Sequence, residues 1–335
     1  MNFTAKDIAR KMGISAAAVS MALNGKPGVS HETRQRVLKI ASEGGFDFSR
    51  LKTGSDKPLE IGYIIYRRHN AVLSFSPIFS DITEGIDEEC HAEGHHLHII
   101  QLYEKTDNVD KFISDLRIAN YDGLIILGTE IAPETLAKFL ELPLPLILLD
   151  SYFPAFSCTS VFIDNWQGAY LATCYLLDHY DQQPSYLASS YEIPNFAQRH
   201  VGFDMAIREH GLSAINSKVH KLSPSIDGAF SDMLAIIDSG VKLPRSFFAD
   251  NDLIAIGAMK ALKLRGLRIP EDIAIVGFDN INEGYVTEPA LTTIDVPRKF
   301  MGETAVKELL LKLRGHIPYE SRRAVNTLLI KRSSA

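Results

Sequence analysis

Several things are missing from this sequence, and each absence removes a class of protein. No stretch approaches about 18 consecutive apolar residues, and no N-terminal segment joins a basic start to a short apolar run and a small-residue cleavage site. Neither a transmembrane helix nor a secretory leader is expected, and the protein is read as cytoplasmic. Its three cysteines, Cys90, Cys158 and Cys174, are odd in number and show no CxxC spacing, which argues against a disulfide framework and a zinc site and for free buried thiols. No GxGxxG follows a strand-like run, no GxxxxGK(S/T) occurs, and no spacing pairs a nucleophile with a base, so neither an enzyme nor a cofactor is expected. Four histidines crowd "HAEGHHLH", but Gly94 breaks the helical spacing of His91, His95, His96 and His98, and a metal site there is not expected. Asp250-Asn251-Asp252 lacks the spaced acidic loop that calcium requires.

What is present is an ordinary globular composition, 46% hydrophobic and 23% charged, in a chain of 335 residues that can bury more than one core. The net charge of −6 conceals an asymmetry. Residues 1–53 carry nine Lys or Arg against four acids, leaving the remainder strongly acidic. A small basic unit on an acidic body suits a phosphate-binding head whose larger partner is repelled by a polyanion.

The front end reads as three short helices. Thr4 and Asp7 have the spacing of a capping box, Ile8, Ala9 and Met12 share a face, and Gly13 can take the positive φ of a tight turn. Ser15 can cap a second helix carrying Val19 and Leu23 one turn apart. Ser30 can cap a third whose inner face is Val37, Ile40 and Ala41, ended by Gly44-Gly45. This is the pattern of a minimal helix-turn-helix domain.

The residues "FTAKDIARKMGISAAAVSMALNGKPGVSHETRQRVLKIASEGGF" resemble the lactose-repressor (LacI/GalR) family of bacterial transcription regulators, in the Thr-x-x-Asp-Ile-Ala opening, the Gly-x-Ser turn, Val-Ser before x-x-Leu-Asn, and Val-Ser-x-x-Thr-Arg-x-x-Val. The resemblance implies DNA contacts from Thr4, Ser15, Ala16, Ala17, Ser20, Met21, Asn24, Lys26 and Arg34. Residues 16, 17 and 21 fall where the family meets base edges. Two alanines and a methionine cannot form the bidentate bonds that read guanine or adenine, but they can pack on the C5-methyl of thymine, or simply let the helix approach closely. After Phe46 the chain departs from the family: Asp47-Phe48-Ser49-Arg50-Leu51-Lys52 replaces the usual hinge. Leu51 is either a wedge that kinks the minor groove or part of a plain linker.

From residue 59 nine apolar runs alternate with helical stretches: "LEIGYIIY", "HLHIIQLY", "DGLIILG", "LPLILLD", "TSVFID", "SYLASS", "KVHKL", "SFFAD" and "IAIVGFDN". Near-continuous apolar runs at this spacing predict parallel strands covered on both faces, and nine are many for one sheet. The expected fold is therefore α/β, a three-helix head joined to two doubly wound halves with a cleft between them. The resemblance continues through "SPIFSDITEGIDEE", "RHVGFDMAI", "DNDLIAIGAMKALKLRGLRIPEDIAIVGFDN" and "PALTTIDVPRKFMGETA", and implies a periplasmic-binding-protein-like body. By it, residues 1–46 form the head, 47–58 a hinge, 59–161 with 293–320 the first half, and 162–292 with 321–335 the second.

Ligands in such sheets bind beyond the carboxyl ends of the strands. Asp150, Asn251 and Asp279 lie there and can accept from hydroxyls or ring N–H groups, and Arg199 can donate. Phe79 matches a family aromatic that covers the ligand, Tyr152 and Phe196 are nearby alternatives, and Trp166 is expected to pack. The site suits a small polar ring, a sugar or sugar derivative ahead of a nucleoside or purine, and replacing Arg199 or Asp279 by Ala is expected to silence the effector response with the fold nearly intact. The expected protein is an effector-responsive repressor of a carbohydrate-utilisation operon, a homodimer on a near-palindromic double-stranded operator. A solute-binding protein with the same body is the rival, disfavoured by the basic head.

Overall fold

The structure, a computed structural model, describes residues 4–23, 28–44, 46, 57–73, 78–315 and 319–335. Asn24, Lys26 and Leu51, all expected to touch DNA, lie outside the described residues.

Three helices form the head: α1 (Ala5–Met12), α2 (Ala16–Leu23) and α3 (His31–Glu43). The Asp7 carboxylate accepts from the backbone N–H of Thr4 at 3.0 Å and from its hydroxyl at 2.5 Å, fixing the start of α1. Gly13 takes φ 67° at the turn, Ser15 Oγ accepts from Ala18 N–H at 3.1 Å, and Ser30 Oγ accepts from Thr33 N–H at 3.2 Å. Each such cap contributes about 1 kcal/mol. Ile8, Val19, Ala22, Leu23, Val37 and Ala41 close a core from which water is excluded.

The body is built on a six-stranded and a four-stranded sheet. The chain runs β1 (Glu60–Arg67), α4 (Ile78–Ala92), β2 (His96–Tyr103), α5 (Val109–Ile118), β3 (Gly123–Leu127), α6 (Pro133–Leu140), β4 (Leu146–Leu149) and β5 (Thr159–Ile163). It continues α7 (Asn165–His179), β6 (Ser185–Ser189), α8 (Pro194–Glu209), β7 (Val219–Leu222), α9 (Ile226–Asp238), β8 (Ser246–Ala249), α10 (Asp252–Leu264) and β9 (Ala274–Val276). All nine expected strands form, and they pair in parallel. In β1 the two-residue period sorts the side chains: Ile61, Tyr63 and Ile65 face the core under α4, while Ile64 and Tyr66 face the core under α5 and α6.

The last sixty residues weave the halves together through α11 (Asn282–Tyr285), β10 (Thr293–Asp295), α12 (Arg298–Leu313), β11 (Arg322–Val325) and β12 (Leu328–Ile330). The first sheet is ordered β11-β5-β4-β3-β1-β2 and the second β7-β6-β8-β9, while β10 and β12 form an antiparallel pair. Strand pairing moves the expected boundaries. β5 stays in the first sheet to Ile163 and β11 joins it there, whereas Thr292 and Asp295 bridge to Val276 and Asp279 of the second half. The crossings therefore fall at 163–165, 295–298 and 325–328, a few residues beyond the expected ones, because three- and four-residue strands take their place from distant partners rather than from their own pattern. α12 lies so close on α4 that Gly85 and Gly302 each face backbone of the opposing helix where a Cβ would sit.

Candidate functional site

Two surfaces carry the residues singled out by sequence. On the head, Ala16, Ala17 and Ser20 are exposed along one side of α2, with Val19, Ala22 and Leu23 buried on the other. Met21 is half-buried and lies against Gly28. The Thr4 hydroxyl is engaged with Asp7, and Ser15 caps the helix. Arg34 is half-buried on α3 and stands beside Gly315 of the body.

The second surface lies between the two halves of the body. Arg199 enters from α8, and of the buried charged side chains among the described residues it is the one cation, against Glu130, Asp150, Asp250, Asp252, Asp279 and Glu308. Its Nε donates to Asn165 Oδ1 at 2.8 Å, one terminal nitrogen donates to Asp279 Oδ1 at 3.2 Å, and the other donates to the carbonyl of Asp250. The guanidinium lies 3.6 Å from the centroid of Phe278 and 5.4 Å from that of Phe196, so aromatic faces hold its plane. From the first half, Asp150 follows β4; its Oδ2 accepts from Thr129 Oγ1 at 2.6 Å. Its Oδ1 accepts from Asn195 Nδ2 at 3.2 Å, a hydrogen bond that crosses from one half to the other.

Burial pushes the carboxyls of Asp150, Asp250 and Asp279 up to about 6, even though Arg199 pulls each of them down, and pushes Asp252 up to about 8. Asp250 and Asp252 are also structural. Asp250 accepts from Tyr186 OH at 2.5 Å and from Ser189 N–H at 2.6 Å, and Asp252 accepts from Thr293 Oγ1 at 2.6 Å and Ile281 N–H at 2.9 Å.

Backbone strain gathers at the same place. Four described non-glycine residues have positive φ: Asn70 (56°), Asp150 (63°), Asp279 (112°) and Asn280 (52°). All four follow strands at the end where the halves meet. Such conformations cost of order 1–3 kcal/mol each and persist where the surroundings enforce them, typically at functional sites.

Of the residues expected to meet a ligand, the structure brings Asp150, Arg199 and Asp279 to the cleft. Asn251 is used differently, because its Oδ1 accepts from Ile254 N–H at 2.9 Å as the N-cap of α10. Phe79, in the first turn of α4, packs against the main core. Tyr152 turns away to pack on Phe162 at 4.4 Å beneath Arg322, whereas Phe196 joins Val72 and Ile193 in an apolar cluster across the cleft. Trp166 stacks on Tyr170 on α7. Asn165, Asn195, Thr129 and Arg298 escaped the sequence reading. Arg298 pairs with Asp81 of α4 at 2.7 Å and donates to the carbonyl of Asp279 at 2.5 Å, tying a cleft residue to the first half. His96 and His98 both pair with Glu60, at 2.9 and 2.6 Å. Cys90 and Cys158 are buried free thiols and Cys174 is half-buried. No helix among the described residues is long and apolar enough to cross a membrane.

Residues 4–47 match the family model of bacterial regulatory proteins, lacI family, and residues 185–335 match that of a periplasmic binding protein-like domain. The chain is 30% identical over 318 residues to the HTH-type transcriptional repressor PurR of Pasteurella multocida (strain Pm70), covering 92% of each. In fold it is similar to a transcriptional regulator CelR–cellobiose complex, with TM-score 0.75 and 21% identity over 100% of both chains. It is similar too to the lac repressor dimer bound to operator and the anti-inducer ONPF, with TM-score 0.70 and 23% identity over 100% of this chain and 99% of that one. A helix-turn-helix head on a two-part, periplasmic-binding-protein-like body defines a DNA-binding regulator of transcription. The chain belongs to the lacI family of bacterial regulatory proteins.

Proposed function

We propose that the protein is a repressor that binds a near-palindromic operator as a homodimer, and that a small neutral polar effector, a sugar or sugar derivative, in the cleft sets its affinity for that operator. The buried network of Asp150, Arg199 and Asp279, drawn from both halves and closed by Asn195, carries this reading. Carboxylates outnumber cations there, so the site favours a ligand rich in hydroxyl or N–H donors and disfavours an anion. In the proposed roles, Asp150 and Asp279 accept from ligand hydroxyls, Arg199 donates to ring or hydroxyl oxygens, and Phe196 offers an apolar face. A ligand that shifts Asp279 also shifts Arg298 and with it α4, and by linkage operator and effector change each other's affinity by the same factor. On the head, Ala16, Ala17 and Met21 pack on thymine methyls while Thr4, Ser15, Ser20 and Arg34 meet the backbone of the DNA.

The test is to select operators from random DNA and then to titrate the selected duplex, by fluorescence anisotropy, in the presence of free sugars, sugar phosphates, nucleosides and purine bases. Thymine-rich inverted half-sites are expected, with a neutral sugar changing operator affinity at least about fivefold. A response to purines or nucleosides alone would replace the sugar reading. Recovery of single, unrepeated sites would end the dimer reading.

A further inference from the structure

The loop after β1 is built in an unusual way. The carboxylate of Glu130, buried in the loop after β3, accepts from four backbone N–H groups: Arg68, His69 and Asn70 each donate to Oε2 at 2.9 Å, and Val72 donates to Oε1 at 3.2 Å. Hydrogen bonds from main-chain donors to a carboxylate are about twice as strong as neutral ones. Asn70 is held at φ 56° within this loop, and its side chain accepts from Arg67 at 2.7 Å. The loop so fixed is one of the parts of the first half that meet the second. Val72 packs with Ile193 and Phe196, and the His69 ring lies 5.7 Å from that of Tyr191. Next to Glu130 in sequence, Thr129 orients Asp150, which receives Asn195 from the second half. One dipeptide thus bears on both an apolar and a polar contact across the cleft.

We propose that Glu130 is a positioning residue of the cleft: by fixing residues 68–72 as a rigid jaw against Ile193 and Phe196, it sets how tightly the two halves are held together. The proposal takes its functional meaning from the effector-site reading, on which it rests, but its consequence is measured on closure itself and needs no effector.

Hydrogen–deuterium exchange of the full chain tests it, comparing the parent with Glu130→Gln and Val72→Ala. In Glu130→Gln, amides of residues 68–72 are expected to exchange about tenfold faster, and those of 189–197 in the other half to accelerate alongside them. In Val72→Ala, which leaves the backbone bonds to Glu130 in place, 189–197 should accelerate while 68–70 stay protected. Faster exchange at 68–72 with 189–197 unchanged in Glu130→Gln would reduce the residue to local structure and overturn the proposal. If Glu130→Gln does not fold, unchanged exchange at 189–197 in Val72→Ala overturns it equally. A failed search for a sugar effector would leave these outcomes unaffected, so the two readings fail separately.

Discussion

In the head, the side chains proposed to face DNA project away from the core that supports them; in the body, the side chains proposed to face the effector are part of the core. Ala16, Ala17 and Ser20 share a helix with Val19, Ala22 and Leu23 but not a face, and little in the packing depends on them. Arg199, Asp150 and Asp279 are at most 5% exposed, and the hydrogen bonds that define the site also join α8, β4 and the loop after β9. On the proposed roles, recognition and stability are separable in one region and merged in the other.

The largest test of that contrast is Arg199→Ala. Removing one partner of a buried, hydrogen-bonded ion pair costs about 3–5 kcal/mol, and here it also strands Asn165 and the carbonyl of Asp250. The expectation from sequence that this variant keeps its fold nearly intact is therefore revised: its unfolding midpoint in urea should drop sharply. A midpoint close to the parent's would show that the cleft is as separable from stability as the head is.

A smaller effect should appear with pH. Burial holds Asp252 near 8 and Asp150, Asp250 and Asp279 near 6, all above the ordinary 3.8. Between about pH 4 and these values the folded body binds more protons than the unfolded chain, so these groups stabilise most at the acid end and lose that contribution as pH rises. The slope is at most about 1.4 kcal/mol per pH unit for each group. Between about pH 7 and 8 Asp252 is, of these four, the acid that titrates most, so Asp252→Asn should remove most of the fall there. Thermal melts across pH 4–8 that give parent and variant parallel profiles would refute the assignment.

The smallest expected change is in the head. Ala17→Ser should alter stability by less than roughly 0.5 kcal/mol, as exposed substitutions do, yet shift which half-sites are selected from random DNA. A stability loss above about 1 kcal/mol would mean that the exposed face of α2 supports the fold after all.

Much of the fold was legible because it rests on local pattern. Capping residues at Thr4, Ser15 and Ser30 and nine apolar runs mark helices and strands without knowledge of partners. β10, β11 and β12 escaped because "TID", "RRAV" and "LLI" are too short to carry a period and are placed by Val276, Ser160 and Asp295 far away in the chain. The site divides in the same way. Asp150, Arg199 and Asp279 stood out as polar groups at strand ends or in a recognisable block. Asn165, Asn195 and Glu130 act through residues 34 to 62 positions away, and the positive φ of Asp150 and Asp279 is imposed by packing that no local signal reveals. Asn251 and Phe79 show the converse, since a strand end and a family position say where a residue lies but not which of its atoms are already engaged.

The weaving of the chain also sets an order in time. The ribosome delivers the head first, and the second sheet, contiguous from Ser185 to Val276, is available next. The first sheet, although begun at Glu60, waits for α12 to lie on α4 and for Arg322 to reach its place beside Ser160. A nascent chain halted before that point holds the helical head and the four strands of the second sheet, but a first sheet still one strand short and a second half without β12, so the joint between the halves is the last part of the molecule to be completed.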